Sequence, residues 1–497
     1  MKNLKFPSAQ TILFIIAGLV TLLTWFVPAG KYDTLSYNES TNKFTRLSLD
    51  KEISLTATQA SLDDLNIKIP IEKFTNGDIY KPINIPGTYN KLEPKPQSFF
   101  DFVTSPIKGI IEAADIIFLV LIIGGLIGVL NKSGAFDAAI AQLAIVLKGR
   151  EPLLIILVTS LVAIGGTTFG FAEETIAFFP ILIPVFLAAK YDALVGVASI
   201  FLGSAIGTMC STINPFSTII ASDAAGINWT TGLYGRIFML FLCLTITIAY
   251  IMRYAKRVKN DPSKSLIYDQ REQIAQLFTL KDVSHVNFNW RLKLALFVFT
   301  SSFILMIIGV SILDWWFVEM TTVFLISAII IGFIIQISET DFIDTFVKGA
   351  GDLLGVALII GIARGVTVLM TDGLISDTLL YYASDITTGM NKGVFASVMT
   401  IIYSGLSFFI PSSSGMAVLT MPIMAPLADT VGVGREVVVN TYQYGLGLFY
   451  LVNPTGLILA SLAVAKINFS KWLKFIMPLF IVLIIVTLIV LAVSSYL

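Results

Sequence analysis

Apolar runs near the length needed to cross a bilayer recur from Thr11 to the C-terminus, and two of them are cut by the same dipeptide. Residues 213–222 read I-N-P-F-S-T-I-I-A-S, and residues 452–461 read V-N-P-T-G-L-I-L-A-S. Pro has no amide hydrogen and is tolerated only in the first turn of a helix, whereas Asn is a good N-cap. The pattern predicts a membrane helix that stops, unwinds and restarts, with Asn214 or Asn453 capping the second half. Broken helices persist at membrane depth only where they are buried in protein or line a cavity. A pair of them in corresponding halves of a chain points to the binding site of a secondary transporter.

The polar stretches divide the chain. Residues 1–30 read as a first transmembrane helix; the apolar run is longer than a leader's and Trp25 sits near its end, so an uncleaved helix is expected despite Lys2 and Lys5. Residues 31–98 are polar, with alternating pieces such as 80–85, and predict a small, partly β extramembrane insertion. Residues 99–252 form a first transmembrane repeat, in which 135–147 is too short to cross and is expected at the interface. Residues 253–293 form a basic linker with nine Lys or Arg against four acids, which the positive-inside rule keeps in the cytoplasm. Within it, 266–278 has apolar residues at roughly helical spacing, as a surface helix would. Residues 294–338 supply two connecting helices, and 339–497 a second repeat.

The repeats align at nearly constant spacing. Asp101-Phe102 with Lys108-Gly109 returns as Asp341-Phe342 with Lys348-Gly349, Leu121–Gly124 as Leu358–Gly361, and Pro180/Pro184 as Pro422/Pro426, at offsets of 237 to 242. One crossing precedes the first repeat and two crossings from the linker precede the second, so the halves are expected to be inverted. The N-terminus is then cytoplasmic and the C-terminus outside.

Composition fixes the solvent. Of 497 residues, 56% are hydrophobic and 13% charged, which reads as an all-α polytopic protein of a cell membrane, the inner one in a two-membrane cell, with the lipid bilayer as its surroundings. Net charge is zero with no basic tract, so nucleic acid is excluded as a partner. Cys210 and Cys243 offer no metal motif, and the single histidine, His285, lies in a polar loop. An enzyme is not expected: Ser412–Ser414 lack a membrane histidine or a nearby buried lysine for nucleophilic chemistry.

Each repeat carries a second interruption before its Asn-Pro. It is Gly165-Gly-Thr167-Thr168-Phe-Gly170 in the first and Pro411-Ser412-Ser413-Ser414-Gly415 in the second. Both read as tips of re-entrant hairpins facing the broken helix of their own repeat, the alternative being close helix packing through small residues. Glu173 and Glu174 are the sharpest clue. A carboxylate at bilayer depth costs about 2.5 kcal/mol or more, so at least one is expected to face a cavity as cation ligand, proton carrier or partner for an amine, the alternative being that one or both lie at the interface. The second repeat has Gly415-Met416 there, so the two halves of the site are chemically unequal. Arg364, inside an apolar run, could pair with a glutamate or receive a carboxylate, or snorkel as a structural residue. Asp223 and Asp352, near segment ends, are expected to be solvated. Asn214, Ser217, Thr218, Asn453 and Thr455 cluster at the breaks, where half-helix N-termini favour anionic groups and unwound carbonyls favour Na⁺. The candidate substrate-binding set is thus Thr167, Thr168, Glu173, Glu174, Asn214, Ser217, Thr218, Arg364, Ser412, Ser413, Ser414, Asn453 and Thr455, with Na⁺ possible near Asn214 and Asn453 and no resident cofactor beyond a coupling H⁺ or Na⁺.

Residues 165–175, G-G-T-T-F-G-F-A-E-E-T, and 361–365, G-I-A-R-G, followed by Asp372-Gly373, resemble the YfcC-type branch of the anaerobic C4-dicarboxylate carrier-like family, within the ion transporter superfamily. Pro94-x-Pro96 leading to 99–102 and 106–109 fits as well. The resemblance implies two inverted repeats, each with a re-entrant hairpin and a discontinuous helix, commonly in a homodimer. It places the tips at Gly165–Thr168 and Ser412–Ser414. The Ser-Asn-Thr tip signature of the superfamily's dicarboxylate carriers is absent here. Members of the branch are often described as basic amino acid antiporters. The expected activity is therefore alternating-access transport of a small amino acid, such as arginine, ornithine or lysine, by exchange or ion coupling. The alternative is H⁺- or Na⁺-coupled transport of a C4-dicarboxylate or short-chain carboxylate.

Overall fold

The structure is a computed structural model. It describes residues 9–496 apart from 50, 68, 77, 78, 80, 81, 136, 137, 139–149, 278–288, 314, 388 and 411. The short segment expected at 135–147 lies, but for 135 and 138, outside the described residues, as do Pro411, His285 and the last residue of 266–278.

The chain starts its repeats with the same device. Ser98 caps α4 (Phe99–Glu112) and Ser338 caps α14 (Glu339–Asp352), each accepting from the amide of an aspartate three residues on, Asp101 or Asp341. Both helices then break, at Ala113 and Leu353, and resume as α5 (Ala114–Ser133) and α15 (Leu354–Asp372). A long arm follows in each repeat, α6 (Pro152–Phe169) and α17 (Lys392–Phe409), and returns as α7 (Phe179–Ala188) and α18 (Ser413–Val431). The broken helices come next. They are α8 (Ala193–Met209), continued after Asn214 by a π-turn (Pro215–Ile219) and α9 (Ile220–Ala224), and α19 (Arg435–Tyr450), continued by α20 (Leu457–Ala465). Each repeat closes on a long helix, α10 (Leu233–Asn260) or α21 (Phe469–Ser494). Between them lie α11 (Arg271–Leu277) in the linker and the connecting pair α12 (Trp290–Ile312) and α13 (Phe317–Ile335). Among the described residues, seven helices are long and apolar enough to cross a membrane.

The repeats interlock through exchanged glycines. Gly109 of α4 lies so close to Gly361 and Gly365 of α15 that a Cβ there would overlap their backbone, and Gly349 of α14 meets Gly124 and Gly128 of α5 in the same way. Each repeat's first helix thus packs on the second helix of the other.

Direction follows from the helix ends. The end of α10 meets the start of α21: Tyr250 donates to the Phe475 carbonyl, the Tyr254 and Phe475 rings lie 5.0 Å apart, and Lys471 bonds Asp269 at 2.8 Å. These equivalent helices therefore run in opposite senses. The middle helices do the same. Asp192 caps α8 at the linker face, accepting from Tyr254 at 2.8 Å and Ser265 at 2.6 Å, whereas α19 starts beside Ala225, whose carbonyl accepts from Arg435 at 2.8 Å. At 1.5 Å per residue α21 is about 39 Å long, which puts its end far from the linker. The core sits on α8 and α19, both buried on nearly all sides.

The insertion holds a four-stranded antiparallel sheet, β4-β3-β2-β5, with β2 Thr34–Asn38, β3 Lys43–Ser48, β4 Lys51–Thr56 and β5 Ile83–Asn84, beside the pair β1 (Gly30–Lys31) and β6 (Asn90–Lys91). Two helices, α2 (Gln59–Asp64) and α3 (Glu72–Thr75), join β4 to β5. It docks on the face away from the linker. The amide of Tyr32 and the side chain of Asn84 donate to Asp377 at 3.0 and 3.3 Å, and Tyr89 stacks on Tyr381 at 4.2 Å, both on α16 (Ser376–Thr387), which follows α15. Burial pushes the Asp377 carboxyl above its usual range. Asp223, at the end of α9, is 1% exposed and pairs with Lys73 of the insertion at 3.0 Å. The expectation of a solvated Asp223 is therefore corrected: its partner comes from a segment 150 positions away and covers it.

Candidate substrate site

The first arm ends later than its small residues suggest. Helix α6 runs unbroken through Gly165–Thr168, where Gly166 lies against the Ser204 carbonyl of α8, and stops at Gly170 with φ +78°. The small residues serve close packing, and the tip is 170–172, a correction to the placement at 165–168. A Cβ at Gly170 would come within 3.0 Å of Asn214, so glycine is required twice, by conformation and by space. The chain then enters a 3₁₀ turn, Glu173–Phe178, with the Ala172 amide donating to Glu174 at 3.1 Å. The second tip falls at Ser412, which caps α18 by accepting from Gly415 at 3.2 Å, with Ser413 and Ser414 in the first turn.

Each tip is held by its own broken helix. Asn214 accepts from the Phe216 amide at 2.8 Å, as an N-cap does, and donates to the Gly166 carbonyl at 3.3 Å. Asn453 donates to the Ser407 carbonyl at 3.1 Å and accepts from the amide and hydroxyl of Thr455 at 3.0 and 2.8 Å. It makes an extra turn rather than a cap. The N-cap of α20 is Gly456, because Thr455 takes the asparagine oxygen first. Across the repeats, Ser413 donates to the Phe216 carbonyl at 3.2 Å.

These elements enclose a cavity of about 440 Å³. Eight of the thirteen candidate residues line it: Glu173, Glu174 and Asn214 from the first repeat, and Arg364, Ser412, Ser413, Ser414 and Thr455 from the second. The other five do not. Thr167 binds the break, bonding the Cys210 carbonyl at 3.2 Å and Thr212 at 3.1 Å, and Thr168 donates to Ile164 of its own helix at 2.6 Å. Ser217 and Thr218 face Ser211 behind the break, and Asn453 is buried beneath Thr455. Their polar groups are taken up by the backbone of the tips and breaks or by Ser211 instead of facing the cavity.

Sequence reasoning missed two acids on the wall, Glu112 and Asp115, which flank the break between α4 and α5. Glu112 and Asp352 stand at equivalent places just before the breaks of the two repeats, a signal that was available in the sequence. Arg364 pairs with Glu112 at 3.2 Å, with both side chains well exposed to the cavity (37% and 48%). No ion pair reaches Glu173 or Glu174 among the described residues. The wall thus carries four carboxyl groups and one guanidinium, with Trp316 and Tyr450 among its aromatic members.

The family model of the C4-dicarboxylate anaerobic carriers, DcuC, matches residues 6–496. The chain belongs to this family. It is accordingly a multi-pass membrane transporter, with a small molecule as its cargo. It is 45% identical over 482 residues to an uncharacterized protein of Haemophilus influenzae, covering 96% of this chain and 94% of that one. It is 30% identical over 487 residues to YfcC of Escherichia coli K12, provisionally named a basic amino acid antiporter, covering 94% and 92%. Two solved structures align at 14% identity and a TM-score of 0.41. They are the YdaH transporter of Alcanivorax borkumensis (98% of each chain) and MtrF of Neisseria gonorrhoeae (100% of this chain, 96% of that one).

Proposed function

We propose that this carrier moves a cationic amino acid, such as arginine, lysine or ornithine, by alternating access. The observation that carries the reading is the charge around one cavity shared by both repeats: four carboxyl groups against a single guanidinium. Glu173 and Glu174 receive the amino groups, and Arg364 with the hydroxyls of Ser412–Ser414 and Thr455 receives the carboxylate. Opposed helix directions in the two repeats support exposure of that cavity to either side in turn. The basic linker sets the sidedness, with the N-terminus cytoplasmic and the insertion and C-terminus outside. The working unit is a homodimer.

A C4-dicarboxylate, the cargo in the family's description, is the second reading; Arg364 and the serine-lined second tip favour it, and the four acids oppose it. Uptake and counterflow of labelled arginine, lysine and ornithine in proteoliposomes, with succinate as competitor, separate the two. Saturable exchange of a cationic amino acid untouched by succinate supports the first reading. Succinate uptake without amino acid transport replaces it with the second.

A further inference from the structure

Behind the cavity wall, a seam of buried polar groups has oxygens left over. The π-turn and α9 of the first repeat run antiparallel to α19 of the second. Two contacts set the register: Gln443 Nε2 donates to Thr218, and Arg435 Nη1 donates to the Ala225 carbonyl at 2.8 Å. Between them, Ser222 lies one turn beyond Thr218 and Asn440 one turn before Gln443, so these two stand at facing positions. The hydroxyls nearest the break satisfy one another, Ser217 donating to Ser211 at 3.2 Å and Ser211 bonding Thr218. The rest are not satisfied. Gln443 Oε1, Asn440 Oδ1 and Ser222 Oγ are buried and have no hydrogen-bond partner among the described residues, with their side chains 2%, 6% and 0% exposed. Three of the buried side-chain atoms left without a hydrogen bond among the described residues fall along this one seam, and that concentration calls for an occupant.

We infer that this seam is a Na⁺ site, built from the amide oxygens of Asn440 and Gln443 and the hydroxyl of Ser222. Neutral oxygens suit a hard monovalent cation, whereas a divalent one draws on carboxylates. The only acid adjoining Ser222 in sequence, Asp223, is paired with Lys73, and no group of three His, Cys, Asp or Glu side chains is placed to hold a metal ion among the described residues. Nor does the seam itself hold a proton carrier. The site is separate from the hairpin tips and reports to the cavity through the next residues along: Phe216 accepts from Ser413, and Tyr442 donates to the Ser413 carbonyl at 2.8 Å. An ion that clamps α9 to α19 therefore also sets the position of Ser413 on the cavity wall.

The test is ²²Na⁺ binding to the purified full-length carrier without any substrate, so that its outcome does not depend on the cargo assigned above. Wild type binds Na⁺ saturably, with K⁺ and choline as poor competitors. Ser222→Ala and Asn440→Leu each weaken binding by about tenfold or more, as loss of a ligand to a buried charge does. Thr168→Ala, whose hydroxyl bonds only its own helix, leaves binding unchanged. Ser222→Ala removes one oxygen and no packing, so it keeps the test sound where a bulkier change misfolds. Absence of saturable Na⁺ binding in wild type, or wild-type affinity retained in both seam variants, overturns the inference.

Discussion

The two hairpin tips stand at equivalent places and solve the same problem with different chemistry. In the first, the arm ends on a left-handed glycine, Gly170, and re-enters through a 3₁₀ turn carrying Glu173 and Glu174. In the second, Ile410 ends the arm at φ −120° and Ser412 starts a regular helix, so the wall receives hydroxyls instead of carboxyls. The backbone architecture is shared and the ligand chemistry is not. The tips bring acids from the first repeat and hydroxyls from the second to one cavity, with Arg364 paired to Glu112 on its wall.

The comparison breaks first at the acids. Glu174→Gln should bring uptake in proteoliposomes to background while the protein stays monodisperse in detergent; full transport with an unaltered pH profile would make the glutamate structural. Next comes the glycine. Gly170→Ala should lower stability by about 1–3 kcal/mol through forced left-handed backbone and overlap with Asn214, read as a drop in Tm. The equivalent residue, Ile410, has no such backbone demand, and a Tm unmoved by Gly170→Ala would remove the distinction. Arg364→Ala should raise KM with little change in the folded fraction. A double-mutant cycle with Glu112→Gln should give a stability coupling below about 1 kcal/mol, because both partners are screened. A larger coupling would recast the pair as a structural clamp.

The smallest effect concerns Asp377, whose carboxyl burial pushes up. Its folded value lies above its unfolded one, so its contribution favours docking below the ordinary carboxylate range and fades as pH rises through the raised value. The protection factor of the Tyr32 amide, its exchange rate divided into the intrinsic rate at each pH, should rise on mild acidification, and a protection factor that falls there would reverse the sign.

Much of this was legible because breaking an apolar run is costly and therefore conspicuous. Asn-Pro in mid-helix and two glutamates in an apolar stretch have few innocent explanations, and they led to the breaks and the cavity wall. The tip of the first hairpin was misplaced for a physical reason. Gly165 and Gly166 signal either a turn or a tight helix contact, and only the position of α8, with the Ser204 carbonyl against Gly166, decides between them. Thr167 and Ser217 likewise carry hydroxyls that a backbone or a ligand could use; here the backbone and Ser211 use them. Asp223 could not be read at all, since its partner lies in another layer of the molecule. Glu112 could have been, from its match with Asp352.

The cap formed by the insertion grips two places at once: Asp377 on α16, and Asp223 at the end of the first broken helix. Should those two places shift relative to one another during a cycle, the cap must either travel with one of them or surrender the Lys73 contact. A small sheet far from the cavity then becomes a brake on that shift.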